Sequence, residues 1–214
     1  MNPFHQYHSR YLEFRKVLDE SKLLDRIESD PAGLNNFFMA GLGMGTLFLR
    51  MGAVIQMSYK LHDGDSSNDA LFMKQVIDNL RETLPSDTNW KNLWYASMLA
   101  DSQWDKAIPR DSNKNSMLDR FVTFRNHYVH QKVRLIHEQI HEITKGLKVL
   151  DEMEGLFPLF EGGEVVLIED KYHWKQDGAD LELHPFVQRA MISGELEGQG
   201  SDPYLFQGLY ENKS

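Results

Sequence analysis

The chain has 214 residues, 41% hydrophobic and 26% charged, enough to bury one real core and ordinary for a globular protein. The absence of cysteine excludes disulfides, thiolate nucleophiles and cysteine zinc knuckles, and it fits a reducing compartment. A net charge of −9 excludes a globally basic nucleic-acid binder and leaves a local basic patch as the route to such a partner.

The start, Met1-Asn2-Pro3-Phe4-His5, has no basic stretch followed by an apolar run, so no secretion signal is visible and a cytoplasmic location is expected. Tyr7, Tyr11, Phe14 and Leu18 recur at helical spacing and predict a first helix over residues 4–19, with His5 and His8 on its surface. Asp30-Pro31 starts a second, with a capping side chain and proline in the first turn, and its apolar run reaches residue 61. Its most apolar stretch, residues 37–49, is too short for a bilayer and Arg50 interrupts it, so a buried helix and no membrane contact are expected. Gly41, Gly43 and Gly45 follow no strand, which argues against a phosphate-cradling loop and for close approach of another helix.

His62 to Asn68 reads as a polar turn without the spacing of a calcium loop, and Leu71, Phe72, Val76, Ile77 and Leu80 mark a third helix ending near Pro85. Thr88 or Asn89 can cap a fourth, whose Trp90, Leu93, Trp94, Met98 and Leu99 form a core stripe, with Pro109 as its latest end. After a polar loop, one long helical pattern runs over residues 117–154, with Gly155 and Pro158 as stop signals. Beyond it, residues 164–168 and 181–184 read as strands joined through Gln176-Asp177-Gly178, with a further strand over 204–210. The expected architecture is mainly α, an antiparallel helical bundle over 1–155. A small β-rich extension over 156–214 is too poor in strands to stand alone; it packs on the bundle or links to a partner.

On one continuous helix, Tyr128, Val129, Ile136, Ile140, Ile143, Leu147 and Leu150 fall on a core stripe, while His130, His137 and His141 align on a second, polar one. Within it, Arg125-Asn126-His127-Tyr128-Val129-His130, preceded by Phe121-Val122-Thr123-Phe124, resembles the RNxxxH signature of HEPN domains. The resemblance takes in the preceding helices and the long one after, roughly two thirds of the chain. It implies a helical bundle that cuts RNA as a homodimer without metal or other cofactor, with Arg125, Asn126 and His130 as catalytic residues. Cleavage by the RNA's own 2′-hydroxyl needs an acid or base of near-neutral pKa, which histidine provides, and a cation for the charge building on phosphorus, here Arg125. Asn126 would orient the phosphate or hold the imidazole tautomer.

Arg120, Lys132 and Arg134, with Lys106, Arg110, Lys114 and Arg125, outnumber Asp105, Asp111 and Asp119 around this motif, a local basic zone suited to RNA. The resemblance also implies a toxin or phage-defence setting, with an antitoxin or a further defence-protein domain as partner. Many family members serve instead as non-catalytic sensing or dimerisation modules. Toxins of the family paired with nucleotidyltransferases often carry a tyrosine two residues after the histidine; Lys132 stands there in this chain.

An Arg and a His five residues apart on one helix lie about 140° apart, so they share no face. The helix must begin or bend near Asn126, or Arg125 must wrap round, or a homodimer must bring two copies together. A second motif, His137-Glu138-Gln139-Ile140-His141, matches the HExxH of zinc peptidases, where two imidazoles one turn apart bind zinc and a Glu activates water. Against it stand the charge at Glu142, no sheet before the helix for a substrate edge, and no convincing third ligand, although Glu161 and Glu164 are available.

Overall fold

A computed structural model describes residues 3–18, 23–62, 69–81, 85–100, 102–108, 116–130 and 140–192. The element that organises them is α3 (Pro31–His62), 32 residues long. Asp30 caps it by accepting from the Gly33 amide at 2.9 Å, and Pro31 opens the first turn, where a missing N–H costs nothing. By length and composition α3 would cross a membrane, but 94% of its apolar window is covered by other parts of the fold. It fits the core helix of a soluble protein.

Four glycines on α3 admit four different helices. A Cβ on Gly41 would meet Leu150 of α8 (Ile140–Glu154) at 2.6 Å, and one on Gly43 would meet Tyr7 of α1 (Pro3–Val17) at 2.3 Å. One on Gly45 would strike Phe121 of α7 (Met117–His130) at 2.3 Å, and one on Gly52 would strike Trp94 of α5 (Asp87–Ser97) at 2.2 Å. The expected close approach is what these residues provide, in the buried middle of a helix. Gly52→Ala sets a propensity gain of about 1 kcal/mol against an overpacking cost of about 1–3 kcal/mol. Trp94 is fully buried and wedged edge-on to Trp104, so overpacking should win. Thermal denaturation should show a midpoint lowered by a few degrees, and a raised midpoint would mean that the indole yields freely.

The remaining helices differ from the sequence reading in instructive places. A short α2 (Leu23–Ser29) precedes α3 and buries Leu23 and Ile27. Asp69 caps α4 (Ala70–Arg81) through the Phe72 amide at 2.9 Å. Ser86, not Thr88 or Asn89, caps α5: extended at φ −65°, ψ 159°, it accepts from the Asn89 amide. The shift puts Asp87 in the first turn, facing inward. The stripe of Trp90, Leu93, Trp94 and Met98 is buried as expected, but α5 stops at Ser97 and a separate α6 (Gln103–Ala107), capped by Ser102, inserts Trp104 into the core. His8, expected on the surface, is 9% exposed: its ring stacks on Phe157 at 3.7 Å and its Nε2 lies 2.8 Å from Glu154. Beside it, Asp151 accepts from Tyr11 and from Arg15, tying α1 to the end of α8.

The expected single helix over 117–154 is two. Helix α7 ends at His130 and α8 begins at Ile140, and they lie antiparallel: Arg120 meets Glu152, Phe124 faces Gly146, and His127 and Glu142 line the same groove. Leu118, Phe121 and Val122 carry the core side of α7, and Ile143, Leu147, Leu150 and Met153 that of α8. The expected alignment of His130, His137 and His141 assumed one axis, and their side chains lie outside the described residues.

After a 3₁₀ turn at Phe157–Leu159, a three-stranded antiparallel sheet runs β1 (Glu164–Ile168), β2 (Lys171–Gln176) and β3 (Ala179–Glu182), in that order. Both hairpins turn on two residues of positive φ, Glu169-Asp170 (49°, 65°) and Asp177-Gly178 (49°, 81°), the pairing that matches strand twist. The second of these is the expected turn, but it joins β3 to a strand the sequence reading passed over. Trp174 pairs across to Leu181 and reaches the bundle, edge-on to Phe4 at 5.5 Å and Phe160 at 6.4 Å. Helix α9 (Val187–Ile192) follows and packs on α3. The strand expected over 204–210 lies outside the described residues.

Candidate functional site

Arg125 leaves α7 on the side of α3 and α5, and what receives it there is a buried carboxylate. Asp87 is 1% exposed; its Oδ1 accepts from Arg50 Nη2 at 2.8 Å and its Oδ2 lies 2.9 Å from Arg125 Nε. The Arg125 N–H points off that line, so the second contact is an ion pair without hydrogen-bond geometry. Arg125 Nη1 in turn donates to Asn126 Oδ1 at 3.4 Å. Exposure rises along the chain of charges, from 1% at Asp87 and 6% at Arg50 to 16% at Arg125.

Two guanidiniums share one carboxylate, so the cluster carries an excess positive charge in a low-dielectric setting. Arg50 shows the strain: burial pulls its pKa down, Asp87 opposes this, and Arg125 adds to it, with a net lowering. Its Nε and Nη1 have no acceptor among the described residues. Asp87 benefits further from the N-terminal end of α5, where the helix dipole favours negative charge. Sequence reasoning took Arg50 only as an interruption of an apolar run. The signal that finds it is a cation in the middle of a core helix, which demands an acidic partner.

The motif's other half is His130. Helix α7 runs unbroken from Met117 to His130, so no helix start or break near Asn126 reconciles Arg125 with His130. Arg120, Thr123 and His127 lie along the groove between α7 and α8. The side chain of His130, all of Lys132 and Arg134, and His137, Glu138 and Gln139 lie outside the described residues, with Ile140 and His141 opening α8.

The groove encloses about 520 Å³ over a floor of Phe124 and Val149. Its rims hold three basic residues, Arg120, Lys145 and Lys148, and three acidic ones, Asp119, Glu142 and Glu152. Arg120 donates to Glu152 at 2.8 Å and Lys145 to Glu142 at 3.3 Å. Of the basic zone expected from sequence, Arg120 lines this groove and is paired with Glu152 of α8, while Arg110, Lys114, Lys132 and Arg134 lie outside the described residues. At the far end, Asp119 accepts from Lys91 at 2.5 Å and from Ser116 at 2.6 Å. Burial pushes the Asp119 carboxyl up, but the Lys91 and Ser116 hydrogen bonds prevail and hold it below its usual range. On the side of α3, the Tyr128 hydroxyl donates to Asn35 at 2.9 Å, and burial pushes its pKa up to about 12.

Among the described residues no three His, Asp or Glu side chains converge to hold a metal ion. No family model matches this chain, and neither a curated protein nor a solved structure is found to match it.

Proposed function

We propose that this chain is a HEPN-type, metal-independent endoribonuclease that acts as a cytoplasmic homodimer in a toxin or phage-defence setting. The observation that carries this reading is the setting of Arg125. Its guanidinium is held between the buried Asp87 and the neighbouring Asn126, and it is the member of the charge cluster that reaches solvent most. A cation fixed before substrate arrives can stabilise the charge that grows on phosphorus without reorganising. The RNA 2′-oxygen would attack phosphorus and displace the 5′-oxygen, leaving a cyclic phosphate and a 5′-hydroxyl. His130 would take the 2′-proton or protonate the leaving oxygen.

Since an Arg and a His five residues apart on one helix lie about 140° apart, the site would be completed by a second copy. The α7/α8 groove, with equal numbers of acidic and basic rim residues, suits a self-complementary contact. An antitoxin or a further defence-protein domain would act on this dimer. A second reading is favoured by a different observation: Arg125 and Arg120 already have carboxylate partners, as expected of a non-catalytic sensing or dimerisation module of the same fold.

Purified protein incubated with total cellular RNA in excess EDTA decides between them. The wild type should cut, and Arg125→Ala and His130→Ala should not. Arg125→Ala leaves a neutral Arg50–Asp87 pair, so it should still fold. No cutting by any form, at concentrations where the chain dimerises, would leave the sensing module.

A further inference from the structure

We propose that Asp87 is a positioning residue for Arg125, and that Arg50, by fixing the other carboxylate oxygen, completes a device that aims the Arg125 guanidinium at a phosphodiester. The proposal rests on the nuclease reading and extends it to two residues outside the motif, on α3 and α5.

Three features carry it. The first is the order of burial. Arg50 and Asp87 are sealed in the core, while Arg125, third in line, keeps 16% of its side chain accessible. The second is division of labour along the guanidinium. Its Nε side faces Asp87 and its Nη1 reaches Asn126, while Nη2 has no partner among the described residues. Arginine side chains carry about 2 kcal/mol of rotamer entropy, and an arginine already clamped on one side loses less of it on meeting a ligand. The third is charge. One carboxylate between two guanidiniums leaves a unit of positive charge uncompensated, and Arg125 is where that charge meets solvent. A carboxylate whose task was only to neutralise Arg50 would leave the core neutral with no second arginine. The cluster as built is prepared for an anion.

The experiment combines a spectroscopic and a kinetic readout on the full chain. In ¹⁵N-labelled wild type, the Arg125 Nε–H resonance, assigned by its loss in Arg125→Lys, should exchange slowly with water because the nitrogen is buried beside Asp87, and Asp87→Asn, which releases the guanidinium from that position, should abolish the protection. In RNA cleavage with EDTA, Asp87→Asn should lower kcat on the order of 10²-fold with KM little changed. The double variant Asp87→Asn/Arg125→Ala should be no worse than Arg125→Ala alone, the non-additivity of two residues acting through one group.

Additive losses would overturn the proposal, as would an Arg125 Nε–H in the wild type that exchanges like a free arginine or is unchanged by Asp87→Asn. Should Asp87→Asn fail to fold, Arg50→Met, which keeps the Asp87–Arg125 pair, serves instead: faster Nε–H exchange supports the device and unchanged exchange overturns it. Wild type that protects Arg125 yet cuts no RNA would sink the nuclease reading while leaving the positioning intact.

Discussion

Asp87→Ala should destabilise the fold by roughly 3–5 kcal/mol, because it leaves the buried Arg50 guanidinium and the partly buried one of Arg125 with no counter-charge. For a chain of this length that corresponds to a fall in Tm on the order of 10 °C. Asp87 is 1% exposed and Arg50 6%, so water cannot take over without opening the junction of α3, α5 and α7. Arg50→Met should behave differently. It removes the excess charge, leaves a neutral pair and fills similar volume, so its effect should stay within about 1.5 kcal/mol. Chemical denaturation of both variants beside wild type checks the contrast. An Asp87→Ala variant within 1 kcal/mol of wild type, roughly the net worth of a single hydrogen bond, would show that the cluster is solvated.

Trp174→Ala should cost about 3–5 kcal/mol, the range for deleting a buried aromatic, and its effect should be felt far from the sheet. The indole is 1% exposed, lies edge-on to Phe4 of α1 and Phe160, and covers Gly163, where a Cβ would come within 2.0 Å of it. Amide exchange in α1 should accelerate along with that in β2, and unfolding should remain a single transition at a lower midpoint. Two transitions, with the helical one unmoved, would instead make the β-rich region a separate domain.

The helices legible in the sequence are those with a clear cap or a clean apolar period. Asp30-Pro31 fixes the start of α3, and the spacing of Tyr7, Tyr11 and Phe14 gives α1. The join between α7 and α8 was not legible, because residues 131–139 contain neither glycine nor proline and their Val133, Leu135 and Ile136 prolong the apolar rhythm. Strand β2 was hidden in Lys171-Tyr172-His173-Trp174-Lys175-Gln176, where two inward aromatics alternate with charged and polar residues. Of the candidate site, Arg125 and Asn126 could be picked out by residue type and spacing. Asp87 and Arg50 could not, since 37 residues separate them and a chain with 32 acidic side chains offers many partners for a buried arginine. Local pattern reports what a segment prefers; it does not report which charge waits across the core.

The shared carboxylate at the start of α5 also constrains how this sequence can drift. Position 50 is free to turn apolar first, since a neutral pair survives the exchange. Position 125 is free in the same way only while Arg50 remains, and position 87 is not free at all singly, since loss of the aspartate strands every cation still present. Descendants of this chain in which position 50 has already been neutralised should therefore change 87 and 125 in concert, so that the junction's history can be read as sign epistasis among three sites on three helices.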